Sequence, residues 1–380
     1  MVDLRHDEMY MARALELART TVGIASPNPQ VGCVLLNPAG DVIGEGAHVY
    51  DHFDHAEVVA LKQAEAGGQP TLGATAYVTL EPCSHHGRTG PCANALIDAR
   101  IARCVIATSD PNRMVSGRGI ARLQAAGIAI TVGILQQPAR ALNDAFAFSI
   151  TRQRPFVTLK AGLSADGQLA PSPALRTGTA PFFLTGPKAR IDVQSVRHAS
   201  DAILTGIGTV LADSPLLTDR TGLPRRRPLM RVVLDSALRT PLESRLFHPL
   251  RDDLWIFCSQ VAPSAAEEAL LQTGARVTRV PEISPGRLDL VAVLGHLHEA
   301  SMLSVLLEAG SALNGAFLRE NLVDRVFLYY AESELGPTAI PFAANSVSPF
   351  ALEQSLLDVT RNPIGRDIRV SGYLHDPWLA

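Results

Sequence analysis

Residues 79–92 read TLEPCSHHGRTGPC, which sets Cys83 and Cys92 on either side of a run of histidine, glycine, arginine and threonine. Two thiols in that setting could form a disulfide, a redox pair or part of a metal site. The chain has five cysteines, at 33, 83, 92, 104 and 258, and a sparse, odd set in a long chain is not a disulfide framework. A redox pair favours the tighter Cys-x-x-Cys. Catalytic zinc takes three protein ligands and leaves a fourth position open. The stretch HAEVVALKQA, opening a helix at His55, supplies an imidazole as third ligand and Glu57 as an acid that can move protons.

A His-x-Glu on one helix followed by Pro-Cys…Cys opening the next is the pattern of zinc nucleobase deaminases, in which the glutamate stays off the metal. The cation lowers the pKa of its water, and Glu57 would carry a proton to the departing amine. The usual spacing there is Cys-x-x-Cys, whereas this chain inserts Ser-His-His-Gly-Arg-Thr-Gly-Pro between Cys83 and Cys92.

These residues need elements to hold them. Met11, Ala14, Leu15 and Ala18 recur at helical spacing within the first twenty residues. A hairpin follows (VGCVLL, the turn NPAGD, VIGEG), then a helix from His55, the strand TAYVTL, a helix after Cys92, CVIATS, a helix from Gly119 and IAITVGI. That is an α/β sheet of about five strands. The loops after TLEPC and ATSDPN fall on one edge, where open α/β sheets place their sites. Cys33 and Cys104 lie inside apolar strands and read as core.

A length of 380 residues suggests two domains, and TRQRP at Thr151–Pro155 marks the boundary, giving 1–150 and 151–380. The second is again α/β, with strands FVTLKAGLS, DAILTG, MRVVLD, DLWIFCS and MLSVLL, and helices over KARIDVQSVRHAS and from Ser264. Two strand-to-helix turns are glycine-rich: LTGIGTVLAD through Gly206 and Gly208, and LEAGSALNG through Gly310 and Gly315. Such turns let backbone N–H groups approach phosphate. The loop from Asp219 to Pro228, with Arg225, Arg226 and Arg227, reads as an exposed, solvated insertion.

Hydrophobic residues make up 47% and charged residues 19% of the chain, with no apolar run near bilayer length. Mixed acids and bases in the first twenty residues point to a cytoplasmic protein rather than a secreted one. The net charge of −3 offers no general attraction to nucleic acid, which favours small-molecule substrates. No membrane partner is expected, and the assembly expected is a homo-oligomer (dimer or tetramer).

The runs PNPQVGCV, HAEVVAL, AYVTLEPCSHHGRTGPC and SDPN with GRG, between Met9 and about Phe146, resemble the deaminase half of the bifunctional RibD family of riboflavin biosynthesis enzymes. KAGLSADG, GPKAR…VRHASDAILTGIGTVLAD, VVLDS, LLEAGSALNGAFL and LVDR, between Pro155 and about Gly336, resemble its reductase half. The resemblance implies a cytidine-deaminase-like α/β/α domain with one Zn2+, followed by a dihydrofolate-reductase-like α/β domain that uses NADPH. It implies deamination of 2,5-diamino-6-ribosylamino-4(3H)-pyrimidinone 5′-phosphate, then reduction of the ribosyl group to give 5-amino-6-ribitylamino-uracil 5′-phosphate. Asn28, His48, the His85–His86–Arg88 loop and Asn112 would line the pyrimidine pocket. Gly162, Phe183, Thr209, Asp213, Ser236 and the loop of Gly310, Ser311, Ala312, Leu313, Asn314, Gly315 and Ala316 would face NADPH. The resemblance also implies that Arg197, Leu217, Arg220 and Glu308 face the substrate, and at Arg197 and Arg220 a guanidinium suits a sugar phosphate.

The chain departs from the family where Phe183 replaces a tryptophan, where Asp213-Ser214-Pro215 replaces Asp-Asp-Pro, and where Ala331-Glu332 replaces Ala-Pro. Two rivals stand beside this reading. One is a tRNA-editing deaminase with an RNA-binding second half, against which 5% aromatics and the negative charge weigh. The other is a structural zinc staple with His85 or His86 as fourth ligand, which would leave Glu57 idle.

Overall fold

The computed structural model describes residues 4–87, 89–113, 115–172, 182–248 and 250–379. They form two compact units. The first runs to Arg152 and takes in Pro224–Arg227; the second holds Gln153–Leu223 and Pro228–Leu379.

The elements of the first unit are α1 (Leu4–Arg19), β1 (Gly32–Leu36), β2 (Val42–Ala47), α2 (Ala56–Ala66), β3 (Thr75–Val78), α3 (Cys92–Asp98), β4 (Arg103–Ile106), α4 (Arg118–Ala125), β5 (Ala129–Val132), α5 (Gln136–Leu142) and α6 (Asp144–Arg152). Its sheet has the order β2-β1-β3-β4-β5. Strand β1 is antiparallel to both neighbours, and β3, β4 and β5 are parallel. Helix α1 buries Met11, Ala14 and Leu15 against Val34, Leu36, Tyr77 and Val105. It is tied down by Asp7, whose two oxygens accept from Arg103 at 2.7 Å each and from the Tyr77 hydroxyl at 2.9 Å.

Helix α2 packs on the opposite face of the sheet, and two glycines of β2 let it come close. A Cβ on Gly46 would lie 2.1 Å from the Ala56 carbonyl oxygen, and one on Gly44 2.2 Å from that of Ala60. The helix presents Ala56, Ala60 and Ala64 there, all fully buried.

The arginine loop departs from the sequence expectation at Pro224–Arg227. Arg225, Arg226 and Arg227 are half-buried, and the Arg226 amide donates to the Gly23 carbonyl at 2.9 Å. Guanidinium groups lose little by leaving water where carbonyl oxygens and an aromatic face replace it, and this segment meets both.

The second unit comprises β6 (Phe156–Leu163), β7 (Gln168–Ala170), α7 (Pro187–His198), β8 (Ala202–Gly206), α8 (Ile207–Asp213), β9 (Met230–Leu234), β10 (Leu254–Ser259), α9 (Ser264–Gln272), β11 (Arg276–Val280), β12 (Glu282–Ser284), β13 (Arg287–Leu288), α10 (Leu290–Glu299), β14 (Ser304–Leu307), α11 (Ser311–Arg319), β15 (Arg325–Tyr330), β16 (Ile340–Pro341), α12 (Pro349–Glu353), β17 (Leu357–Ile364) and β18 (Asp367–Tyr373). Nine strands form one sheet in the order β11-β10-β9-β8-β14-β6-β15-β18-β17. The first seven are parallel, and the last two add an antiparallel hairpin.

Parallel strands covered on both faces must be apolar at consecutive positions. Leu204, Val232, Phe257 and Leu307 fill one apolar cluster, and their neighbours Ile203, Val233, Ile256 and Leu306 fill another. Among the described residues no helix is long and apolar enough to cross a membrane.

Gly46→Ala should cost about 1–3 kcal/mol of stability, the usual range for forcing an extra carbon into a packed layer. Because α2 must move to admit it, the variant should also retain less zinc than its parent, as measured by thermal melting and metal analysis of the same preparation.

Candidate active sites

In the first unit three elements end at one point. His55 is the residue before α2, with extended backbone (φ −78°, ψ 162°). Cys83 lies in the loop after β3, and Cys92 begins α3 behind Pro91. The Nδ1 of His55 is 3.5 Å from the Cys83 sulfur and 3.2 Å from the Cys92 sulfur, and the three donor atoms lie within 4.8 Å of one another. Zinc bonds of 2.0–2.3 Å in a tetrahedron separate donors by about 3.3–3.8 Å, so these side chains fit that ion. Among the described residues no other His, Cys, Asp or Glu joins the group. His85 and His86, the donors that a structural staple would need, are not part of this group.

The sulfur of Cys83 is held well below its ordinary thiol value by hydrogen bonds from Cys92 and His55 and by the Cys92 backbone N–H at 3.3 Å. That is the charge state a cation needs. Glu57, in the first turn of α2, is 3% exposed. Burial pushes its carboxyl up to about 7, with the His55 imidazole opposing and the Cys83 sulfur adding to the rise. A carboxyl that titrates near neutrality can both take and give a proton. The thiols of Cys33 and Cys104 are raised by burial, as expected of core cysteines.

His48 and Asn28 come together beside this cluster. His48 is buried, its ring centroid 5.1 Å from that of His55. Its Nδ1 meets the Asp54 carbonyl oxygen at 2.8 Å and its Nε2 the Asn28 amide nitrogen at 3.0 Å. These partners assign the proton to Nδ1 and leave Nε2 to accept from Asn28. Asn112 forms a turn, its amide on Asp110 Oδ1 at 2.8 Å. His86 is exposed on its loop, and Arg88 lies outside the described residues.

Sequence reasoning missed Glu81. Buried at the end of the β3 segment, it accepts from the amides of Gly119 (2.9 Å), Ile120 (3.2 Å), Gly117 (3.0 Å) and Asp110 (3.2 Å). It fastens the loop that carries Cys83 to the loop that carries Asn112 and to the start of α4, where negative charge is favoured.

The second unit holds a cavity of about 800 Å3 along the C-terminal ends of its parallel strands. Gly162, Phe183, Thr209, Asp213, Ser236, Gly310, Ser311, Ala312, Leu313, Ala316 and Glu308 lie on its wall. Five sequence candidates do not. Asn314 is buried and donates to the Phe342 carbonyl at 3.0 Å. Gly315 turns inward, where a Cβ would lie 2.1 Å from the Ala344 carbonyl oxygen. Leu217 belongs to the apolar core, and Arg220 is exposed. Arg197 is spent on Glu308, through Nε at 2.8 Å and Nη2 at 3.0 Å.

Lys160 on β6, absent from the sequence candidates, is on the wall with its ammonium 3.5 Å from Glu308. A lysine within the apolar run FVTLKAGL was its signal. Burial works against ionising Glu308, but Lys160 and Arg197 outweigh it and hold the carboxyl at about 2. At α11 no side chain caps the start, and the buried Ser311 Oγ has no hydrogen-bond partner. An uncapped helix start and an unsatisfied hydroxyl on a cavity wall fit an anionic ligand group. Phe183, 62% exposed, stands at the rim with the Arg190 guanidinium 4.9 Å over its ring.

Residues 4–108 match the cytidine and deoxycytidylate deaminase zinc-binding region, and residues 155–356 match the RibD C-terminal domain. The class is therefore a zinc-binding deaminase domain followed by a reductase domain. RibD of Escherichia coli is 41% identical over 345 residues, covering 88% of this chain and 89% of its own length. RibD of Synechocystis is 34% identical over 370 residues, covering 97% and 96%. The solved structure of Acinetobacter baumannii RibD superposes with a TM-score of 0.81 at 33% identity, covering 98% of this chain and 99% of that one. The diaminohydroxyphosphoribosylaminopyrimidine deaminase/5-amino-6-(5-phosphoribosylamino)uracil reductase of Thermotoga maritima gives 0.82 at 31%, covering 97% and 99%. The chain belongs to the RibD family, the bifunctional deaminases and reductases of riboflavin biosynthesis.

Glu308 also makes a pH test. Its folded pKa of about 2 lies below an unfolded value of about 4.3. The ionised group thus contributes stability in full above that value, and the contribution is lost as pH falls toward 2. Arg197→Ala should destabilise the protein at pH 6, and the difference from the parent should shrink by pH 3 in urea melts.

Proposed function

We propose that His55, Cys83 and Cys92 hold one Zn2+, that Glu57 moves the protons of a hydrolytic deamination, and that the cavity of the second unit takes NADPH and the deaminated sugar phosphate. On this reading residues 1–150 carry the deaminase and 151–380 the reductase. The observation that carries it is the meeting of three metal donors with a buried acid tuned near neutrality.

When bound, zinc acts as a Lewis acid that makes a water nucleophilic near neutral pH. Glu57 takes the proton released as the water oxygen adds to C2 of the 2,5-diaminopyrimidinone, and returns it to the 2-amino group, which leaves as ammonia. Asn28, oriented by His48, and Asn112 hold the ring, with His86 on the loop above it.

When bound in the second unit, NADPH would supply a hydride. C1′ of the ribosyl group would accept it as its bond to the ring oxygen breaks, that oxygen taking a proton and leaving an open ribityl chain. Glu308, kept ionised by Lys160 and Arg197, faces the cavity and can accept from sugar hydroxyls. Gly162, Phe183, Thr209, Asp213, Ser236 and the stretch from Gly310 to Leu313, with Ala316, are the cofactor wall. Arg197 acts from behind Glu308, and Arg220 is left to meet the substrate phosphate from the surface.

The expected homo-oligomer has support in β17, an edge strand whose residues from Leu357 to Pro363 are exposed. Long exposed edges are usually covered.

Purified protein given the diaminopyrimidine should release ammonia without NADPH, and should oxidise NADPH only once deaminated product is present. Glu57→Gln should keep one zinc per chain and lose deamination by at least about a hundredfold, the scale of a missing general acid–base, while reducing deaminated substrate normally. Loss of metal in that variant would make Glu57 a ligand instead.

A further inference from the structure

The arginine run that the proposed chemistry leaves unused lies in the first unit, where Arg226 contacts the turn that carries Asn28. The Arg226 amide donates to the Gly23 carbonyl at 2.9 Å. Its Nε donates to the Ser26 carbonyl at 2.9 Å, and its guanidinium lies over the Tyr50 ring, 4.1 Å from the centroid. Gly23 and Ser26 are in the segment leading into Asn28, whose own amide returns to the Ala25 carbonyl at 3.0 Å. Tyr50 follows His48 by two residues, and its amide donates to the Ile24 carbonyl at 3.2 Å. One side chain therefore touches both stretches whose ends meet in the Asn28–His48 contact.

We infer that Arg226 is a positioning residue for the deaminase site: it clamps the Gly23–Asn28 turn against the Tyr50 segment and so sets the Asn28 amide against His48. The residue comes from sequence far beyond the rest of the first unit, so that unit is completed by a segment numbered within the second half of the chain. The clamp has two parts of different character. The backbone bond to Gly23 is open to any residue but proline, whereas the Nε bond and the stacking need a planar guanidinium. Lysine keeps the charge and the stem but cannot reproduce both contacts.

This inference rests on the assignment of Asn28 to the pyrimidine, and a double-mutant cycle separates the two. Full-length Arg226→Ala, Asn28→Ala and the double variant are compared with the parent, with ammonia release read as KM and kcat. NADPH oxidation with deaminated substrate, and zinc content, are followed in the same preparations. Arg226→Ala should raise the deaminase KM about tenfold, within the coupling range of residues linked through a shared backbone shift, with a smaller change in kcat. Zinc content and the reductase reaction should be unchanged, and Arg226→Lys should recover only part of the loss. In the Asn28→Ala background, adding Arg226→Ala should raise KM by less than about twofold.

If the two losses multiply, or if Arg226→Ala leaves the deaminase KM unchanged, Arg226 does not act through Asn28. If reductase activity falls in step with deaminase activity, the side chain is a general stabiliser and the inference fails. If Asn28→Ala alone leaves deamination intact, the assignment of Asn28 is what fails.

Discussion

Helix α2 lies against β2 at a separation that only glycine on the strand and alanine on the helix permit, and that approach determines what the first site can do. With Gly44 and Gly46 facing Ala56, Ala60 and Ala64, the start of the helix reaches the edge where β3 ends and α3 begins. His55, one residue ahead of the helix, then meets the sulfurs on either side of that gap. The same closeness removes Glu57 from water. Geometry and proton affinity thus have one cause: the packing that delivers the imidazole also raises the carboxyl to about 7.

Glu57 and Glu308 show how surroundings assign opposite duties to one chemical group. Glu57 is buried and Glu308 largely withdrawn from water, so desolvation favours the neutral acid in each. Around Glu57 the compensating charges are weak and partly opposed by thiolate sulfur, and the acid remains able to change its protonation state. Around Glu308 an ammonium and a guanidinium converge, the guanidinium through two hydrogen bonds, and the carboxylate stays ionised. The first arrangement suits proton transfer. The second suits a fixed negative charge that orients hydroxyl groups and takes no proton itself.

The zinc cluster could be read from the sequence because each donor is tied to a local event, a helix start or a strand end, that leaves its own pattern. Glu81 could not, because its partners are backbone amides of distant residues and amides carry no side-chain signature. The run from Gly310 to Ala316 does not keep to one face. An α-helix turns about 100° per residue, so a contiguous run through α11 cannot all face one cavity. Ser311, Ala312, Leu313 and Ala316 do, while Asn314 and Gly315 point into the core. The chemistry of guanidinium matches Arg197 to phosphate, but its pairing with Glu308 spans more than a hundred residues and leaves no local pattern. The hairpin β17–β18 went unseen because LDVTRNPI is exposed on both faces and so has no hydrophobic period to follow.

The two sites also differ in what must form before they exist. In the first unit the ligands are carried by neighbouring elements in the chain, α2, the loop after β3, and α3. In the second, Glu308 and Gly310 follow β14, and β14 is held between β6 and β8, pairing Ser304 with Phe156 and Val305 with Ala202. Such parallel pairings close long stretches of chain before any contact rewards the lost entropy. The cavity wall is therefore complete only when the centre of the sheet is. A modest loss of packing among Leu159, Leu204 and Leu307, which share one apolar cluster, reaches the cavity directly, because the residue after Leu307 is the carboxylate that the lysine and the arginine converge on.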